Sequence, residues 1–136
     1  MRFCAIALLS AAASAAAFPP PPPSYNGLAL KPPMGWRSWN LFGRQVNQTL
    51  IVQIQDAMVS RARSVNGVPT SLLDLGYSDV GLDDAWQKVD SGPGGMGYHD
   101  KAGYPIINTD TFPDLAAMVA HAHALNLTAG WCVARC

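Results

Sequence analysis

The sequence predicts an α/β fold in which parallel strands are connected by helices. Short apolar segments of the kind that form buried strands alternate with longer segments whose apolar residues recur at helical spacing. Glycine and proline lie between these segments, where turns are expected. The resulting order is strand, helix, strand, helix, strand, which indicates successive βα units and a parallel sheet.

The first strand is predicted at residues 34–36, and a turn at residues 38–40 follows it. Asn47 is a favourable N-cap for the next helix, and Thr49 is an alternative cap. The apolar residues of this helix are spaced to lie on one face: Leu50, Ile51, Ile54 and Met58.

Residues 61–70 contain Asn66-Gly67, which interrupts the helical pattern, and we expect a loop there. A short helical turn at residues 72–75 is predicted to end at Gly76, because glycine is the common residue after a helix end. The second strand is predicted at residues 77–82.

A glycine-rich loop is expected from residue 90 to residue 110, since its segment "SGPGGMG" is unsuited to regular structure. The second helix is predicted to begin with Thr111 as N-cap, Pro113 in the first turn and Asp114 three residues after the cap. Its core-facing residues are expected to be Leu115, Met118, Val119, Ala122 and Leu125. Residues 127–133 complete the pattern as a third strand.

The composition limits the possible functions. The 136 residues carry no formal net charge and only 13% are charged, which fits one domain at most. Nucleic acid and anionic membranes are therefore not expected as main partners, whereas a neutral sugar is compatible. The sequence has no phosphate-binding loop, and His121 and His123 lie about 200° apart around a helix. We expect neither a metal nor an organic cofactor.

The first residues have the features of a secretory signal. Met1-Arg2 is positive, residues 3–9 are apolar, and Ala15-x-Ala17 offers a cleavage site. The alternative is a membrane anchor, but a span needs roughly 20 apolar residues and fewer precede the first proline. We predict a signal peptide at residues 1–17, a proline-rich spacer at 18–26, and export to the extracellular space or a lysosome-like or vacuole-like compartment, without membrane association after cleavage.

Export would place the remaining cysteines in an oxidising environment. Cys132 and Cys136 could then bridge each other, or one could bridge a cysteine elsewhere. Asn47 and Asn126 each begin an N-x-T triplet, so they are candidate N-glycosylation sites. No oligomeric state is predicted.

Two adjacent acids follow the second predicted strand, in the segment "DVGLDDAWQ". Neighbouring strand residues point to opposite faces, so Asp83 and Asp84 are poorly placed to flank a scissile bond. They are better suited to accept hydrogen bonds from sugar hydroxyls, with a helix cap and a solvated acid as the alternative.

The tryptophans face a choice between packing and sugar binding. We expect Trp39 to cover the apolar face of a sugar and Trp36 and Trp131 to pack in the core. Trp86 is left open as a possible pocket residue.

Three ordered segments resemble glycoside hydrolase family 27, which comprises the α-galactosidases (melibiases) and α-N-acetylgalactosaminidases. They are "GLALKPPMGWRSWNLFG", "LGYSDVGLDDAWQ" and "FPDLAAMVAHAHALNLTAGW". The resemblance implies that residues 27–136 are the N-terminal three βα units of a (β/α)8 TIM barrel, incomplete in this chain. It implies hydrolysis of terminal α-D-galactosyl residues with retention of configuration.

By the same resemblance, Trp39 flanks the galactose, and Asp83 and Asp84 bind its 4-hydroxyl and 6-hydroxyl. Cys132 takes the place of a pocket tyrosine, and a family disulfide would join the positions of Arg44 and Ala85. The nucleophile and the acid/base would lie beyond Cys136, so no catalytic residue is assigned and we expect the chain alone to be inactive. A non-catalytic or degenerate galactose-binding module, and another α-glycosidase such as an α-N-acetylgalactosaminidase, are the alternatives.

Overall fold

A computed structural model describes Asn26 and residues 32–132 of the chain. The fold concerns residues 32–132, which lie in the second of the two units into which the chain divides, Lys31–Cys136. The predicted signal peptide, the spacer apart from Asn26, and Cys136 lie outside the described residues.

The centre of the fold is a parallel sheet of three strands. They are β1 (Gly35–Arg37), β4 (Asp79–Leu82) and β5 (Thr128–Trp131), with β4 in the middle. Trp36 pairs with Val80, and Leu82 pairs with Trp131. The predicted α/β class and its parallel sheet are confirmed, although each strand is shorter than its predicted range or shifted from it.

Two helices cover one face of this sheet. They are α2 (Gln48–Val59) and α3 (Leu115–Ala124). The residues buried between the helices and the sheet include Ile51, Met58, Val80, Leu82, Phe112, Met118, Ala122 and Leu127. Because alternate strand residues face opposite sides, Asp79 and Gly81 lie on the other face, away from these two helices.

Helix α2 begins as the sequence predicts. The Asn47 side-chain oxygen accepts a hydrogen bond from the Leu50 backbone N–H at 2.9 Å, so Asn47 and not Thr49 is the cap. The apolar pattern did not predict that Gln55 is fully buried, with its amide nitrogen 3.3 Å from the Met118 carbonyl oxygen.

The predicted start of α3 is wrong by three residues. Its N-cap is Asp114, whose carboxylate accepts from the Ala117 N–H at 2.8 Å. Thr111 lies instead in a preceding turn, because its N–H donates to the Asn108 carbonyl and its own carbonyl accepts from the Gln48 N–H at 2.9 Å. These contacts with the start of α2 hold Thr111 outside the helix.

Residues 61–70 form a hairpin where a loop was predicted. Strands β2 (Ser64–Val65) and β3 (Val68–Pro69) are antiparallel and joined by Asn66-Gly67. Both turn residues have positive φ, 50° and 79°, which is the geometry that makes Asn-Gly a strong two-residue hairpin turn. The hairpin is exposed along its length.

An ion pair fastens the base of this hairpin. The Arg61 guanidinium donates two hydrogen bonds to the Asp74 carboxylate, at 2.8 and 2.7 Å, and the Ser71 N–H donates a third at 2.9 Å. Arg61 first, and then the Ser71 backbone and hydroxyl, hold the pKa of the Asp74 carboxyl well below its usual range. The 3₁₀ turn at Leu73–Leu75 ends at Gly76 with φ of 88°, as predicted.

This ion pair predicts a dependence of stability on acid pH. Because the Asp74 pKa is lower in the folded state, its contribution is present above the unfolded pKa of about 3.9 and is lost as pH falls towards the folded pKa. We expect the melting temperature of the wild type to exceed that of Asp74→Asn at pH 7, with the difference shrinking below about pH 4. Asp110→Asn is the control, since its carboxylate is exposed and 3.4 Å from Lys88. A difference that stays constant from pH 7 to pH 2.5 would contradict the assignment.

The long segment between β4 and α3 is mostly irregular, as predicted. It contains a 3₁₀ turn at Pro93–Gly95 and folds back on itself through isolated bridges, Gln87 with Ile107 and His99 with Pro105. No helix among residues 32–132 combines the length and apolar content that crossing a membrane requires.

The two later tryptophans lie in different environments. Trp86 is 3% exposed and belongs to the core, whereas Trp131, predicted to be buried, is 43% exposed. Trp131 lies on β5, which pairs only with β4 among the described strands, and its ring contacts Trp86 at a centroid distance of 6.3 Å. The core prediction for Trp131 is therefore wrong, because nothing in the described chain covers that side of β5.

Candidate functional site

The predicted site residues lie at one edge of the sheet. Asp83 and Asp84 follow β4, Trp39 follows β1, and Cys132 follows β5. The carboxyl ends of parallel strands meet at one edge, which is where α/β folds collect their binding groups. The segments "SWN" and "DDAW" therefore both lie at this edge.

Ser38 connects the ends of β1 and β4. It is fully buried, its N–H donates to the Gly81 carbonyl at 3.2 Å, and its hydroxyl oxygen accepts from the Asp83 N–H at 2.9 Å. Its carbonyl also accepts from Phe42 N–H, starting the helical turn α1 (Trp39–Phe42) where a turn was predicted. This role of Ser38 was not predicted, and the available signal in the sequence was a small hydroxyl residue between two tryptophans.

We expect Ser38→Ala to lower the free energy of unfolding by about 1–3 kcal/mol, because it leaves the Asp83 N–H without its acceptor. Urea denaturation measures the loss, and faster hydrogen exchange of the Asp83 amide reports its origin. Ser60→Ala is the control, since the Ser60 hydroxyl accepts only a surface contact at 3.3 Å. An unchanged Asp83 exchange rate in Ser38→Ala would refute the connecting role.

The two acids hold the turn that follows β4. One Asp83 carboxylate oxygen accepts from the Asp84 N–H at 2.8 Å, and one Asp84 carboxylate oxygen accepts from the Ala85 N–H at 2.7 Å. Ala85 has φ of 74°, a left-handed conformation that turns the chain immediately after the acids. Both acids are half-buried.

The two acidic residues line different cavities. Asp83 lines a cavity of about 330 Å³ with Arg37 and Cys132, called here the Asp83 cavity. Asp84 lines one of about 150 Å³ whose other residues include Arg44, Gln87 and Asn108, called here the Gln87 cavity. Trp39 is 42% exposed at the same edge and lines neither. The structure brings these three residues to one edge but does not arrange them around one hollow.

Arg37 is a charged residue of this region that the sequence analysis did not single out. Its side chain lies across Gly81, so closely that a Cβ there would be 1.9 Å from the guanidinium nitrogen. The guanidinium pairs with the Asp79 carboxylate, which also accepts from the Thr128 hydroxyl at 2.9 Å. The chain has few charged residues, and two of them, Arg37 and Asp79, lie in its strands. This was the signal that could have revealed the pair.

The two possible pocket residues separate. Cys132 is exposed and lines the Asp83 cavity. Trp86 belongs to the core, and its indole N–H donates to the Cys132 carbonyl at 2.7 Å. Trp86 therefore supports the end of β5 from the side of the sheet that the helices cover.

All nine acidic residues of the chain are aspartates, and several of the others are engaged elsewhere. His121 lies 2.8 Å from the Asp56 carboxylate, and Asp100 accepts two backbone N–H groups of its own loop. Within residues 32–132, no three His, Cys, Asp or Glu side chains are grouped to hold a metal ion.

The sequon asparagines are both exposed. Asn47 caps α2, and Asn126 follows α3 with φ of 59°. Arg44 and Ala85, where the resemblance implies paired cysteines, both line the Gln87 cavity.

The comparisons with known proteins return α-galactosidases, although no protein-family model matches the chain. The α-galactosidase of Cyamopsis tetragonoloba is 35% identical over 106 residues, which is 77% of this chain and 22% of that protein. The probable α-galactosidase of Dictyostelium discoideum is 40% identical over 80 residues, 59% of this chain and 18% of that protein.

Solved structures agree. The α-galactosidase I of Mortierella vinacea has a TM-score of 0.58 at 33% identity, over 78% of this chain and 23% of that one. The Saccharomyces cerevisiae α-galactosidase MEL1 has a TM-score of 0.61 at 29% identity, over 81% of this chain and 21% of that one. The chain spans about a fifth of the length of these relatives. The resemblance to α-galactosidases predicted from the sequence is confirmed.

Proposed function

We propose that this chain, which is homologous to α-galactosidases over about three quarters of its length, supplies the galactose-binding part of such an enzyme. The complete activity would be hydrolysis of terminal α-D-galactosyl residues by a retaining mechanism with two aspartates. The observation that carries the proposal is the pair Asp83 and Asp84 at the carboxyl end of the middle strand.

In this proposal each acid accepts hydrogen bonds from a hydroxyl of the galactose, at its 4 and 6 positions. A half-buried carboxylate is a strong acceptor, and each of these two uses one oxygen to hold the backbone. The exposed indole of Trp39 supplies a flat apolar surface for the C–H face of the sugar. For both acids to touch one ring, the sugar must bridge the Asp83 and Gln87 cavities.

The chemistry itself requires two carboxyl groups on opposite sides of the glycosidic bond. The other aspartates with partners serve different purposes: Asp56, Asp74, Asp79 and Asp110 pair with basic residues, Asp100 holds a loop and Asp114 caps α3. As the family resemblance implies, we assign neither the nucleophile nor the acid/base to a residue of this chain.

The proposal extends to the setting of the protein. The parallel sheet would be part of a (β/α)8 barrel, in which β1, β4 and β5 are consecutive barrel strands. We propose export through the signal at residues 1–17, with glycans on Asn47 and Asn126. A glycan forms on the amide nitrogen, so it is compatible with the oxygen of Asn47 serving as helix cap.

The test is a titration of the full 136-residue chain with galactose and with glucose, followed by the amide NMR resonances of Asp83 and Asp84. Galactose should shift both resonances, and glucose should bind at least about tenfold more weakly. The 4-hydroxyl of glucose points away from the carboxylate that would accept it, so this charged acceptor would be left without a partner. We expect no turnover of p-nitrophenyl α-galactoside by this chain. Equal affinities for the two sugars would contradict the proposal. Turnover would show that the chain does contain catalytic residues.

A further inference from the structure

We infer that Arg37 is a sugar-binding residue of the Asp83 cavity, where its guanidinium donates to hydroxyl oxygens of a neutral sugar while Asp83 accepts from the hydroxyl hydrogens. The inference rests on the proposed function, because it concerns the same galactose site. It adds a hydrogen-bond donor to a site whose two proposed acids, Asp83 and Asp84, only accept.

The sheet fixes the position of Arg37. Arg37 on β1 is in register with Gly81 on β4, which is in register with Gly130 on β5. The two glycines leave room on this face of the sheet, and the Arg37 side chain lies over the first of them. A Cβ at Gly130 would have no neighbouring atom within 4 Å, so the space over β5 is open. Arg37 and Gly130 both line the Asp83 cavity.

One edge of the Arg37 guanidinium is left for a ligand. Both hydrogen bonds that the described residues give this group come from Nη1, which donates to the Asp79 carboxylate and, at 3.3 Å, to the Trp36 carbonyl. The N–H groups of Nε and Nη2 lie along another edge of the planar group, and they have no partner among the described residues. The side chain is 51% exposed, so a ligand can reach it.

The charges of the cavity favour a neutral sugar over an anion. Of its lining residues in the described chain, Arg37 is the cation and Asp83 is the anion. Because Arg37 is already paired with Asp79, these three residues together carry one negative charge, which repels an anionic ligand. A hydroxyl group both donates and accepts, so neighbouring sugar hydroxyls can bind Arg37 and Asp83 together. The volume of about 330 Å³ is in the range of about 300–1,000 Å³ for small-molecule sites.

The experiment is a calorimetric titration of the full chain and its variants with galactose. Arg37→Lys keeps a charge that can pair with Asp79 but lacks the flat edge of donors. We expect it to weaken galactose binding about tenfold with little change in melting temperature. Arg61→Lys is the matched control, because Arg61 also pairs with an aspartate but lies outside the cavity, and it should bind galactose like the wild type.

Gly81→Ala displaces Arg37 without changing its chemistry. The new Cβ would be 1.9 Å from Nη1, and the three atoms nearest to it all belong to the Arg37 side chain. The arginine therefore has to move while the backbone of β4 need not. We expect galactose binding to weaken by a factor similar to that of Arg37→Lys.

The outcomes separate this inference from the proposed function. If Arg37→Lys binds galactose like the wild type, Arg37 serves only the ion pair with Asp79, and the inference fails while the function stands. If galactose and glucose bind equally well and Arg37→Lys weakens both, the sugar contact stands and the proposed function fails. If the wild type binds no galactose, both fail. Tighter binding of D-galacturonate than of galactose would show that the cavity selects an anion and would overturn the inference.

Discussion

Gly35→Ala is expected to lower the free energy of unfolding by about 3 kcal/mol, near the upper end for inserting a methyl group into a packed site. A Cβ at Gly35 would lie 2.1 Å from the Asp79 carbonyl oxygen and 2.8 Å from its carbon. These are backbone atoms of the middle strand, which cannot move without disturbing the pairing of β1 with β4.

Gly130→Ala provides a matched control on the same sheet. A Cβ at Gly130 would have no neighbouring atom within 4 Å, so we expect a change within about 0.5 kcal/mol. Urea denaturation of both variants measures the difference. Similar losses of unfolding free energy in the two variants would show that close contact between β1 and β4 is not the reason for glycine at position 35.

A second large effect is expected at the paired acids. Asp83→Asn and Asp84→Asn should each weaken galactose binding about 10–100-fold, because a hydrogen bond to a charged acceptor contributes about 1.5–3 kcal/mol. An asparagine oxygen can still accept from the next backbone N–H, so the turn at these residues should be kept.

Calorimetric titration with galactose measures both variants, and Asp110→Asn serves as the control on an exposed aspartate. Losses in both variants would support a sugar that bridges the Asp83 and Gln87 cavities. Weaker galactose binding in Asp83→Asn alone would restrict binding to the Asp83 cavity. Wild-type affinity in both variants would show that neither acid contacts the sugar.

The elements predicted correctly depend on local signals. Asn47 caps α2 through an atom three residues away, and Gly76 ends its turn with a positive φ that glycine adopts freely. The buried residues of β4 follow from its apolar run. The hairpin at Asn66-Gly67 had an equally local signal, but it was interpreted only as an interruption.

The errors share a different cause, which is contact between distant segments. Thr111 is kept out of α3 by Gln48, which lies 63 positions earlier in the chain. Trp131 was expected inside because it is large and apolar, yet its burial depends on what covers β5. Neither the contact of Thr111 nor the covering of Trp131 can be recognised from the residues adjacent to it in the chain.

The sequence by itself determined the three strands of the parallel sheet, the two helices that cover it, and the presence of two acids at a strand end. Hydrophobic spacing and helix capping depend on residues close together in the chain, so they can be recognised in the sequence. Only the tertiary structure decided that Ser38 ties Asp83 to β1, that Asp83 and Asp84 line separate cavities, and that Gln87 is buried without a partner. Such facts arise when strands far apart in the chain pack together, because burial and hydrogen bonding depend on which atoms are left facing each other.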